Sequence, residues 1–181
     1  MSGRAEDRVR PVDAVRAHLF EDDGSIPNNP KLPLLVYPGA VATSGADPAA
    51  AFEEIFAANG WSGSWRNGIY PFPHYHSTAH EVLGIARGEA KVRFGGDRGI
   101  VLDVQAGDVV VIPAGVGHQN LGASGDLLVV GAYPGGAGFD LCRGGPDDRP
   151  RVLDNIRQVA LPAADPVFGR AGPLLAQWRE G

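Results

Sequence analysis

Apolar and polar positions change rhythm near residue 61. Before it, Leu34 to Tyr37 forms a short apolar run closed by Pro38-Gly39, and a helix signature follows. Asp47 stands at the N-cap and Pro48 at the first helical position. Phe52, Ile55 and Phe56 then recur on one face until Asn59-Gly60 ends the pattern. This predicts a helix over about 48–58 lying against a sheet. Residues 11–20 show neither period clearly. From Trp61 onward, WRNGIYPFPHYH, EVLGIARG, EAKVRFGG, GIVLDVQAG, DVVVIPAG and DLLVVGAYP read as short strands separated by glycine-containing turns, a spacing that points to a sandwich or small barrel. Beyond Gly135 the apolar residues scatter among Gly, Pro and Asp, so that stretch is expected to wrap the barrel. The pattern gives one all-β domain: an N-terminal extension over 1–60 with its helix, a barrel core over 61–135, and a C-terminal tail over 136–181 packing on the barrel.

Length and composition narrow this picture. At 181 residues a single domain can bury a core without covalent staples. The lone Cys142 cannot form an intrachain bridge, and the first thirty residues lack the apolar stretch of a signal peptide, so a cytoplasmic protein is expected. No run approaches the roughly 20 apolar residues of a membrane span. A net charge of -5, with no stripe of Lys or Arg, argues against nucleic acid as a partner.

The chemistry concentrates in HYHSTAHE, residues 74 to 81, which holds three of the five histidines. In an extended strand His74 and His76 share a face, and Tyr70 and Phe72 precede them on it. Paired neutral imidazoles suit Zn, Fe, Ni and Cu and, with a carboxylate added, Mn. The surroundings are specific. Gly68, His74, His76, Glu81 and Gly88 are separated by five, one, four and six residues, and Gly107, Pro113, Gly115 and His118 by five, one and two.

These two blocks resemble the paired motifs of the cupin superfamily, G-x5-H-x-H-x(3,4)-E-x6-G and G-x5-P-x-G-x2-H-x3-N. Asn120 stands two residues ahead of the family's asparagine. FEDDGSIPNNPKLPLLVY, HYHSTAHEVLGIARG and LPAADPVFGRAGPL are similar to the YjlB-like group of bacterial cupins. The resemblance implies a jelly-roll β-barrel whose two motifs bring His74, His76, Glu81 and His118 to one divalent transition metal ion, with Fe, Mn, Ni, Zn and Cu all open. His80 is the alternative fourth ligand, because the motif admits a gap of three or four residues. Counting back from Gly88 places Glu81 on the face of Leu83 and Ile85 and His80 on the opposite one.

Three imidazoles and one carboxylate leave coordination positions open, the mark of a catalytic site. The reading is a metal-dependent enzyme, dioxygenase-like or an isomerase or lyase, acting on a small oxygenated molecule. A non-catalytic small-ligand or sensor cupin is the rival, and a metal-free sugar epimerase ranks last. Tyr70, Phe72 and Asn120 are candidate pocket residues by parity, and Arg66 could meet an anion at the rim. Trp61 and Trp65 are expected beneath the helix. Cys142 and His18 carry no expected role. A homodimer is expected from the fold, with the apolar LPLLVY segment as its candidate edge.

Overall fold

The computed structural model describes residues 3–179. Two antiparallel sheets form it. The larger runs β1 (Arg16–His18), β2 (Leu34–Tyr37), β7 (Val109–Ile112), β4 (Glu81–Arg87), β9 (Leu128–Pro134) and β3 (Trp61–Asn67), in that spatial order. The smaller runs β6 (Ile100–Gln105), β5 (Glu89–Phe94) and β8 (His118–Ala123). This is the all-β jelly-roll architecture that the strand spacing anticipates.

Both faces of the larger sheet are covered, which explains why β4 reads as a nearly continuous apolar run. Leu83, Ile85, Val110, Ile112 and Val129 pack toward Val92, Phe94 and Val104 of the smaller sheet and fill the barrel. On the other face Val82, Ala86, Val111, Val130 and Ala132 meet Phe52, Ile55 and Phe56 of α1 (Pro48–Ala58). Helix and sheet approach closely at Gly84, where a Cβ would fall 2.3 Å from Phe52 Cδ1. The helix starts as its sequence predicts, with the Asp47 side chain accepting from Ala50 N.

The C-terminal tail wraps the barrel and adds α2 (Arg149–Gln158) and α3 (Pro173–Gln177). Val167, Leu174 and Trp178 enter the helix-side core. Trp178 donates to Pro33 O and Trp61 to Ala164 O, fixing the tail at two points. Asp165 organises the stretch between them. It accepts from the backbone N–H groups of Val167, Phe168 and Leu174 and from the buried Tyr37 hydroxyl.

Several expectations change. LPLLVY is not an edge: Leu34 to Tyr37 is wholly buried, with β2 paired on one side to β1 and on the other to β7. The undecided stretch 11–20 supplies β1. The single strand expected over WRNGIYPFPHYH stops at Asn67, and beyond it His74 and Tyr75 sit in isolated bridges while His76 lies just past them. β8 was not anticipated, because HQNLGA lacks an apolar alternation. Trp61 packs in the helix-side core as expected, but Trp65 lies against the barrel-side cluster.

Candidate metal centre

Backbone hydrogen bonds bring the two distant motifs together. His74 N donates to His118 O at 3.2 Å and His118 N to His74 O at 2.9 Å, a two-residue antiparallel bridge. β8 thereby carries His118 to the HYH segment, while β4 presents Glu81 from the larger sheet. His74, His76 and His118 are buried, and each offers a ring nitrogen within 4.8 Å of the others. Glu81 completes the cluster, with Oε2 3.4 Å from His76 Nε2 and Oε1 3.3 Å from His118 Nε2.

The orientation of the rings is informative. The Nδ1 atoms of His74, His76 and His118 lie against the carbonyl oxygens of Phe72, Asp140 and Val116 respectively. A carbonyl only accepts, so each Nδ1 carries a proton and each ring turns its Nε2 inward. Three inward Nε2 atoms beside a buried carboxylate call for positive charge among them, carried by protons on Nε2 or by a cation. The donor set therefore fits a divalent metal ion.

Electrostatics agree. Burial would raise the Glu81 carboxyl, but hydrogen bonds from His118 and His76 outweigh it and hold the group well below the usual carboxylate range. Burial opposes charge on His76 too, yet its bond to Glu81 raises it above an ordinary histidine. His74 is pushed down to about 3 by burial, then by the neighbouring His118, so it stays a neutral donor at physiological pH.

A second set of residues fixes this cluster. The register that places Val82 opposite Ala132 makes Glu81 and Tyr133 neighbours, and the Tyr133 hydroxyl donates to Glu81 Oε2 at 2.7 Å. Trp65 Nε1 donates in turn to the Tyr133 hydroxyl at 2.8 Å. Asp140, whose carbonyl receives His76, is tied down through its carboxylate, which accepts from Ser77 N and Oγ and from Cys142 Sγ. Phe139 stands beside it with its ring 5.0 Å from His76 and stacked on Tyr133 at 4.6 Å. Tyr133, Asp140 and Phe139 escaped the sequence reading. Tyr133 could have been found by pairing DLLVVGAYP with EVLGIARG, whereas nothing in the glycine-rich tail marks Asp140 or Phe139.

The remaining candidates distribute as follows. Tyr70 lines a cavity of about 450 Å³ that opens over His74, His76, Glu81 and His118, while Phe72 and Asn120 lie outside its wall. Phe72 stacks behind Tyr70 at 4.9 Å, and the Asn120 side chain accepts from Gly122 N while the Asn120 backbone N–H donates to Tyr70 O. His80 is turned away from the cluster. Only 1 % exposed, it accepts from Ala114 N through Nδ1 and packs on Trp178 at 4.8 Å, so it belongs to the helix-side core. Arg66 is engaged on the outer surface by Glu53 and Asp47. His18 is half-buried on β1 and stacks on Phe20. Cys142 is buried, with its thiol pushed up to about 11 by burial and by its bond to Asp140.

A two-sheet jelly roll with an HxH segment and a third histidine bridged to it defines the cupin class, and the Cupin domain family matches residues 65–130. The chain belongs to the YjlB-like group of the cupin superfamily: it is 46 % identical over 163 residues to the uncharacterized protein YjlB of Bacillus subtilis (strain 168), covering 90 % of this chain and 96 % of that one. Among solved structures it is similar to the TDP-quinovose 3,4-ketoisomerase WlaRB of Campylobacter jejuni (14 % identity, 51 % of this chain and 74 % of that one, TM-score 0.40). It is also similar to the acireductone dioxygenase of Bacillus anthracis, solved with cadmium in its active centre (16 % identity, TM-score 0.34). That match covers 47 % of this chain and 58 % of the dioxygenase. An 11S globulin of Wrightia tinctoria gives 19 % identity and a TM-score of 0.35 over 43 % of this chain and 21 % of the globulin. This chain thus spans less than two thirds of the globulin and of the dioxygenase, and no reaction is read from these likenesses. Among the described residues, no helix is long and apolar enough to cross a membrane.

Proposed function

We propose that the protein is a metal-dependent cupin enzyme in which His74, His76, Glu81 and His118 hold one divalent transition metal ion beneath a pocket for a small oxygenated molecule. The observation that carries this reading is the commitment of all three Nδ1 atoms to backbone carbonyls, which turns three Nε2 atoms toward each other and toward Glu81. Such an ion supplies Lewis acidity toward substrate oxygens and, where it is redox-active, electrons to dioxygen.

The protein's own groups do the rest. The cavity opens onto the cluster, with Leu83 in its wall and Ile85 and Val129 buried in the barrel core. Glu81, hydrogen-bonded by Tyr133, is fixed in one orientation and stays ionised. The Tyr133 hydroxyl, raised by burial and then by the Glu81 charge, keeps its proton at neutral pH and spends it on Glu81, so it holds that carboxylate in place at the cavity wall. The reading is an oxygenase first and an isomerase or lyase second. The same cluster with no turnover is what a binding or sensor protein would show.

Elemental analysis of protein purified without added metal should give close to one Fe, Mn, Ni, Zn or Cu per chain. Incubation with diketones, enediols and phenolic compounds, with dioxygen uptake monitored, should consume one class. Metal below one tenth per chain that cannot be restored by adding any of these ions would overturn the proposal, and tight binding without consumption would leave a binding protein.

A further inference from the structure

The cavity over the metal cluster has an unusual balance of side chains. Its wall includes Trp65, Ile69, Tyr70, Leu83, Tyr133 and Phe139, and among the described residues no Lys or Arg lines it. The cations nearest in sequence are occupied elsewhere. Arg66 is paired with Glu53 and Asp47 on the outer surface, and the Arg143 guanidinium lies 3.9 Å over the ring of Phe72, which is outside the wall. Asn67 is a polar residue of the wall outside the cluster, and its Oδ1 already accepts from Gly68 N. A carboxylate or phosphate entering this space finds no counter-ion beyond the cluster itself, and an unpaired anion out of water costs heavily.

Two aromatic rings mark the mouth. Tyr70, 51 % exposed, stands edge-on to His74 at 5.2 Å, and Phe139, 49 % exposed, stands edge-on to His76 at 5.0 Å. Each keeps ring surface in solvent while its neighbour Phe72 or Tyr133 stacks on it. Half-bare aromatic faces beside a metal cluster are a stacking surface for a flat guest, which would recover the apolar area now exposed. The volume, about 450 Å³, suits one or two rings.

We infer that the ligand class of this site is a flat aromatic or fully conjugated molecule, uncharged apart from one chelating pair of oxygens that addresses the metal, with its ring held between Tyr70 and Phe139. This rests on the metal-site reading above and narrows it: sugar phosphates, nucleotide sugars and polycarboxylates fall outside the class, while phenolic and enolised aromatic chelators fall within it.

Hydroxamates provide the test, because one chelating head can be kept while the rest of the molecule changes. Zinc-loaded protein would be titrated calorimetrically with acetohydroxamate, benzohydroxamate and 4-carboxybenzohydroxamate, and the affinities corrected for those toward free zinc. Benzohydroxamate is expected to bind about tenfold or more tighter than acetohydroxamate, and the carboxylated ring about tenfold or more weaker than the plain one. Phe139→Ala should shrink the first ratio to about threefold or less, whereas damage to the metal cluster would weaken both hydroxamates in parallel and leave the ratio as it was. Equal affinity for the acetyl and benzoyl heads, or preference for the carboxylated ring, overturns the inference with the metal site intact. Failure of the protein to take up zinc in the loading step that precedes the titration overturns the metal-site reading instead.

Discussion

Asp140 does not reach the cavity, yet it sets the position of a residue that does. Its carbonyl receives the His76 Nδ1 proton, and its carboxylate is held by Ser77, Thr78 and Cys142. Asp140→Ala leaves the carbonyl but releases the loop, so metal affinity measured by competition with a chelator should weaken by about 10- to 100-fold. His118→Ala should instead abolish measurable uptake, because it removes a lone pair from the cluster and the side chain that β8 contributes. His80→Ala is expected to leave metal affinity within about threefold of the parent while lowering stability by about 1–3 kcal/mol, since its ring fills space against Trp178 and accepts from Ala114 N. At this scale the four motif residues are nominated by the resemblance of their spacing to the cupin motifs. Strand parity is local and favours Glu81 over His80, and the fold sets Glu81 beside His76 and His118. Asp140 was not legible, since its role depends on a loop folding back across more than sixty positions to Ser77.

Strand β9 links packing to the site. Gly131 lies under Trp65, where an added Cβ would fall 2.2 Å from the indole, and that indole holds Tyr133, which holds Glu81. Gly131→Ala should push Trp65 aside, cost about 1–3 kcal/mol in urea unfolding, and weaken metal binding although the site's own residues are untouched. Gly131→Ala with unchanged metal affinity would mean that Trp65 does not steady the site through Tyr133. The element scale also shows where periodicity misleads. β4 is covered on both faces, so its apolar run carries no inside and outside, whereas β8 is polar and was passed over although it delivers His118. β2 looked like an exposed sticky edge for the same reason: an apolar run does not say whether its partner is another strand of the same chain.

For the whole molecule, a ligand that binds only the folded state stabilises it in proportion to the logarithm of its concentration over its dissociation constant. Stripping metal with a chelator should therefore lower the melting temperature by about 5–10 °C, if the ion is bound at about a hundred times its dissociation constant, and restoring it should reverse the loss. Scanning calorimetry of stripped and reloaded samples checks this. A second global property follows from Tyr37, which joins β2 to the tail through Asp165. Burial, then the Asp165 charge, raises its hydroxyl far above the ordinary value of 10.0, so the native state keeps a proton that the unfolded chain releases. Its contribution to stability is whole below about pH 10 and is lost as pH rises beyond it. Urea midpoints from pH 8 to 11 should fall above pH 10, and Tyr37→Phe should flatten that fall while costing about 1–3 kcal/mol at pH 8.

By itself the sequence determined the all-β class and the helix over 48–58, because helical and strand periods and turn glycines are short-range signals, and its resemblance to the cupin motifs gave the family and nominated four residues for the cluster. Only the tertiary structure decided that Tyr133, Trp65 and Asp140 fix those residues, that His80 serves the core, and that the cavity is walled by aromatics without a cation. Each of these depends on strand register or chain return across long separations, and no local pattern encodes which distant side chains will meet once two sheets close over a common interior.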